Sequence, residues 1–157
     1  MSLRRPRNAR HLVASLGLAL LGAAVPAAAE AAKSESSRLT IAVSGFKNDK
    51  GQAGIAVFRS AEGFPSDRRK AAAGKALPIR QGRVKWTIPA LESGRYAILV
   101  LHDENSNGKM DTNLVGIPTE GYGVSRDARR PFGPPLFEDA AIVVKGGPRV
   151  VHIQVKY

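Results

Sequence analysis

Residues 91–103 read LESGRYAILVLHD, and the stretch YAILVL at positions 96–101 is apolar on both parities. A strand sends alternate side chains to opposite faces, so apolar residues at every position call for cover on both sides. The reading is a central strand, entered through a turn at Ser93-Gly94, with other structure lying on each of its faces.

Upstream, RVKWTI (residues 83–88) alternates Val84, Trp86 and Ile88 with Arg83, Lys85 and Thr87, as a half-buried strand does; Trp86 is expected to anchor the core. ALPIR (76–80) precedes it across Gln81-Gly82. Further back, LTIAVSGF (39–46) and AGIAVFRS (53–60) flank KNDKGQ, whose Asn, Asp and Gly suit a hairpin turn, so these two runs are expected to pair with each other. FPSDRRKAAAGKA (64–76) is expected to carry one or two helical turns, starting near Pro65 and Ser66 and stopped by Gly74. Downstream, EDAAIVV (138–144) and RVVHIQVKY (149–157) are expected to pair across residues 145–148, with Val151, Ile153 and Val155 inward and His152, Gln154 and Lys156 outward. The sum is an all-β fold: a single antiparallel β-sandwich of about seven strands with one long loop.

The 157-residue chain opens on a basic head of Arg4, Arg5, Arg7 and Arg10, an apolar run at 12–25 and small residues before position 32. This is the pattern of a cleavable signal peptide, and the run is shorter than the ~20 residues of a permanent span. Cleavage after Ala29 is preferred to cleavage after Ala31, so residues 1–29 are read as signal, 30–37 as linker and 38–157 as the domain. The route is of the general secretory type, and the destination is periplasmic or secreted. Removing residues 1–29, which carry four Arg and no acid, lowers the formal charge from +11 to +7. The mature domain is not expected to span a membrane. No aromatic-basic motif points to nucleic acid, while a basic exported surface suits an anionic envelope polymer. With no cysteine, the domain relies on packing, hydrogen bonds or an ion.

The central strand runs into HDENSNGKMDTN (102–113). Oxygen-bearing side chains at Asp103, Asn105 and Asn107, then Gly108, the carbonyl of Lys109 and the carboxylate of Asp111, match the first half of a calcium loop of EF-hand type. The twelfth position holds Leu114 rather than a bidentate Glu. A further carboxylate would come from Glu104, Glu120, Glu138 or Asp139, and without one the Ca2+ site would be weak, in the roughly 10⁻⁴ to 10⁻³ M class. The alternative is a set of nested Asx turns with no metal. His102 has no nucleophile beside it in sequence and reads as a packed, hydrogen-bonded histidine.

Residues 114–140 interleave Ile117, Tyr122, Phe132, Leu136 and Phe137 with Gly and Pro, as a loop that buries its own apolar groups does. Arg126, Arg129 and Arg130, with His102, Tyr122 and Phe132, are the candidates for a ligand surface toward an anionic or sugar-like partner. No catalytic set is assigned. The leading reading is a non-enzymatic binding or structural module; the alternatives are a small hydrolase using His102 with the loop carboxylates, and a module that holds anionic polymer through the three arginines.

Four stretches in order, GQAGIAVFRSAEGFP (51–65), LHDENSNGKMDTN (101–113), GIPTEGYGVS (116–125) and FGPPLFEDAAIVV (132–144), resemble the exported bacterial family DUF2141. The resemblance implies a single prealbumin-like or immunoglobulin-like β-sandwich outside the cytoplasm, with no established activity. The run at Asp103, Asn105, Asn107, Gly108 and Asp111 is part of that family's pattern.

Overall fold

A computed structural model describes residues 36–157; the expected signal peptide and most of the expected linker lie outside the described residues. Eight strands form two sheets among them. The smaller sheet has β1 (Ser36–Ser44) between β4 (Arg83–Glu92) and β8 (Gly147–Gln154). The larger runs β3 (Ala73–Leu77), β2 (Gln52–Phe58), β5 (Gly94–Asp103), β6 (Tyr122–Val124), with β7 (Ile142–Val144) sharing the β6 edge of β5. The architecture is the expected all-β sandwich. Its one departure from antiparallel order is the β1–β8 ladder, which is parallel.

Between the sheets Leu39, Ile41 and Val43 meet Ile55, Val57, Tyr96, Ile98, Val100 and Ile153 in one cluster. Each such fully buried aliphatic side chain contributes about 1.5–3 kcal/mol. Trp86 packs against this cluster but is only partly buried. On β5 the other parity also has cover: Ala97 packs in a second cluster with Ala56, Phe58, Val124 and Phe137, which Leu99 joins from its edge. The two-sided strand therefore has a core on each face, one formed by the opposite sheet and one by the long connection that follows it.

Two expected pairings are corrected. LTIAVSGF and AGIAVFRS do not form a hairpin: β1 pairs with β4 and β8, and β2 pairs with β3 and β5. Their connection crosses from one sheet to the other, because each strand has an apolar face and placing them in opposite sheets sets those faces against each other. Its polar residues bond to distant turns instead of closing a hairpin: both carboxylate oxygens of Asp49 accept backbone N–H groups, from Gln81 and Gly82, at 2.8 Å each. EDAAIVV and RVVHIQVKY likewise do not pair; β7 joins β5 while β8 fills the free edge of β1, with Gly146 and Gly147 at positive φ in between. The helical expectation at 64–76 shrinks to a 3-10 turn, Arg68–Lys70, capped by the Asp67 side chain; Gly74 lies inside β3.

The N–H groups of Gly82 and then Gln81 hold the Asp49 carboxyl below its ordinary value of 3.8. A lowered folded value means stabilisation that is present above the unfolded pKa and lost as pH falls through the folded one. An Asp49→Ala variant is therefore expected to melt below the parent at pH 7, with the gap closing as pH drops below about 4. Thermal melts of both proteins from pH 7 to pH 2.5 check this; a gap independent of pH would contradict it.

Candidate functional site

The end of β5 sends consecutive side chains to opposite faces. His102 turns toward the inter-sheet core, fully buried, with Nδ1 2.6 Å from the Tyr157 hydroxyl and Nε2 2.9 Å from the Lys50 carbonyl. The carbonyl can only accept, so Nε2 donates to it, and Nδ1 accepts from the hydroxyl. Phe46 packs edge-on against the ring. Asp103 turns the other way and is also fully buried. One oxygen accepts Asn107 N–H at 2.9 Å; the other accepts Gly108 N–H at 2.9 Å and Gln52 Nε2 at 2.8 Å. His102 and Asp103 therefore lie on opposite faces of the sheet.

The 103–111 loop is a set of nested Asx turns. Asn105 Oδ1 accepts Asn107 N–H at 3.1 Å, and Asn107 Oδ1 accepts Lys109 N–H at 2.8 Å. The side-chain amides of Asn105 and Asn107 donate to the two oxygens of Asp111, at 2.6 and 2.9 Å. Gly108, at φ 76°, takes the left-handed turn that brings its N–H to Asp103. Glu120, nearly buried, is the extra carboxylate that the structure brings here: its oxygens accept the N–H groups of Glu104 and Asp111 at 3.0 and 3.1 Å. Glu104 instead pairs with Lys47 at 2.6 Å, which, more than the contact with Asn48, holds its carboxyl below the ordinary carboxylate value. Glu138 and Asp139 are not part of this loop. They sit on the single helical turn α1 (Phe137–Ala140), and Glu138 pairs with Arg95 near the start of β5, about 26 Å of extended chain from Asp103. Among the described residues no group of three or more His, Cys, Asp or Glu side chains could hold a metal ion.

The arginines have three separate surroundings. Arg126, itself at φ 61°, reaches the Ala141 carbonyl at 3.4 Å, and Arg129 pairs with Asp127 at 3.0 Å. Asp127 also takes Lys156 at 2.8 Å, and these two cations, Lys156 first, hold its carboxyl below the usual range. Arg130 has no hydrogen-bond or ion-pair partner among the described residues and lines a cavity.

That cavity, about 830 Å³, was not legible in the sequence as a unit. Its floor is the outer face of the larger sheet at Gly54, Leu99, Leu101 and Tyr122, where Leu99 and Tyr122 border the second cluster. Its walls come from the loop after β5 at Met110, Ile117 and Pro118, and from the proline-rich segment around Phe132. The expectation that these apolar groups bury one another is corrected at three of them: Ile117 is 59%, Phe132 89% and Leu136 48% exposed, the last two in a segment whose Pro131, Pro134 and Pro135 hold it extended. Tyr122 and Phe137 do pack, in the second cluster. Arg68 enters from the 3-10 turn, and its guanidinium lies where a side chain at position 54 would stand, 2.8 Å from an added Cβ. A lone glycine inside the strand AGIAVF is the sequence signal for such a close approach.

No helix among the described residues is long and apolar enough to cross a membrane. No curated protein and no solved structure matches the chain. A family model does match over residues 41–152, and the chain belongs to that family, DUF2141, described as uncharacterized protein conserved in bacteria.

Proposed function

We propose that this chain is an exported, non-enzymatic binding module whose ligand seat is the cavity over the outer face of the larger sheet. The observation that carries the reading is the cavity itself: about 830 Å³, within the roughly 300–1,000 Å³ range of small-molecule sites, with an apolar floor. A sandwich needs only its inner faces covered, yet here a long connection is laid over an outer face without filling it. The absence of an enzyme is supported by His102, whose two ring nitrogens are engaged in the core away from the cavity.

The test is a neutral, environment-sensitive naphthylamine dye titrated into the mature domain. Saturable emission enhancement at one site is expected. Gly54→Val, which places two methyls over the floor and whose Cβ has the flexible end of Arg68 as its nearest neighbour, is expected to weaken it about tenfold. No enhancement, or equal enhancement in a normally folded Gly54→Val protein, would remove the reading.

A second reading concerns the 103–111 loop, where the amides of Asn105 and Asn107 occupy the position beside Asp111 that a cation would take. Turning both amides would present their oxygens instead, giving a weak calcium site that stiffens one cavity wall. At a dissociation constant of about 10⁻³ M, 10 mM calcium would stabilise the fold by about 1.4 kcal/mol. The melting temperature is expected to rise with calcium in the parent and not in Asp111→Ala; no rise in the parent sinks the site.

A further inference from the structure

Three cationic side chains reach this cavity, Arg68, Lys109 and Arg130, and no Asp or Glu lines it. None of the three has a hydrogen-bond or ion-pair partner among the described residues. Near the long connection Arg129 pairs with Asp127, Arg95 with Glu138 and Arg59 with Glu92, while Arg126 reaches only the Ala141 carbonyl. A cavity whose only charged lining residues are Arg68, Lys109 and Arg130 carries positive potential into a partly closed, apolar space, where it acts more strongly than in bulk water. Leu99 and Leu101 form the floor, while Ile117 and Phe132 stand in the wall with much of their surface uncovered. An occupant must satisfy both halves.

We infer that the cavity takes a monomeric amphipathic anion: an apolar chain or ring system laid along Leu99, Leu101 and Tyr122, with a carboxylate or similar head group met by Arg68 and Arg130. The inference rests on the binding-module reading and adds the ligand class. Gly54 has a specific part in it, because only a residue without a side chain lets the Arg68 guanidinium lie on the sheet next to Leu101. The planar guanidinium suits a carboxylate better than an ammonium would, and Lys109 adds a more diffuse charge from the loop.

The test displaces the neutral dye with three competitors below their aggregation limits: dodecanoate, dodecan-1-ol and acetate. Dodecanoate is expected to displace it at a concentration about tenfold lower than dodecanol, and acetate not at all. In the triple variant Arg68→Gln, Lys109→Gln, Arg130→Gln, whose changes lie on partly or fully exposed side chains, the advantage of dodecanoate should vanish while dodecanol is unaffected. Equal displacement by acid and alcohol in the parent would overturn the anionic class and leave the binding module standing. Failure of the dye to bind would remove the module and this inference together. Sedimentation with anionic vesicles, without displacement by dodecanoate, would overturn it in favour of a membrane surface.

Discussion

Ser125→Ala is expected to cost about 2–4 kcal/mol, although it deletes one oxygen atom from a loop. The reason lies in the edge of β5. β7 pairs with that edge at residues 94–96 and β6 at residues 99–101, so the backbone between them has no strand partner there. The Ser125 hydroxyl fills the gap: it accepts the Ile98 N–H at 3.0 Å and donates to the Ala140 carbonyl at 2.6 Å, with the serine fully buried. Alanine would leave a buried donor and a buried acceptor without partners, each at about 1–3 kcal/mol. Urea denaturation of the mature domain measures the loss, and a change under about 0.5 kcal/mol would show that the junction relaxes or admits water.

Asp103→Ala is expected to cost about 3 kcal/mol and to loosen the cavity wall at the same time. Three donors converge on its buried carboxylate, two of them backbone N–H groups that define the turn at Gly108. Hydrogen bonds to a charged acceptor are worth about 1.5–3 kcal/mol, and the abandoned amides would partly recover by meeting water. Because Gly108, Lys109 and Met110 line the cavity, the variant should also cut faster with trypsin after Lys109 and bind the neutral dye more weakly. Unchanged proteolysis with unchanged stability would mean that the Asn105, Asn107 and Glu120 bonds hold the loop unaided.

Much of the burial pattern was legible from period-two alternation. Leu39, Ile41 and Val43, and later Val151, Ile153 and Val155, point inward as read, and the doubly apolar run in β5 does have cover on both faces. Which strands would be neighbours was not legible, because alternation says which face a residue takes and nothing about the edge its backbone meets. The turn chemistry of KNDKGQ suited a hairpin equally well, and only the need to set two apolar faces against each other sends β2 to the other sheet. At the loop, the spacing of Asp103, Asn105, Asn107 and Asp111 correctly marked side chains that converge. It left open whether they converge on an ion or on one another's N–H groups. No role could be read for Arg68 or Ser125 from the residues around them: one acts through a glycine on a strand, the other through a gap that two short strands create.

What occupies the outer face of the larger sheet decides whether this cavity is a ligand seat. Methyl-resolved NMR of the mature domain titrated with dodecanoate would test it, since Leu99 and Leu101 face the cavity while Ile98 and Val100 on the same strand face the inter-sheet core. The account predicts saturable shifts at Leu99, Leu101, Met110 and Ile117, with Ile98 and Val100 little changed. Shifts concentrated in the inter-sheet core, or none at any methyl, would contradict it.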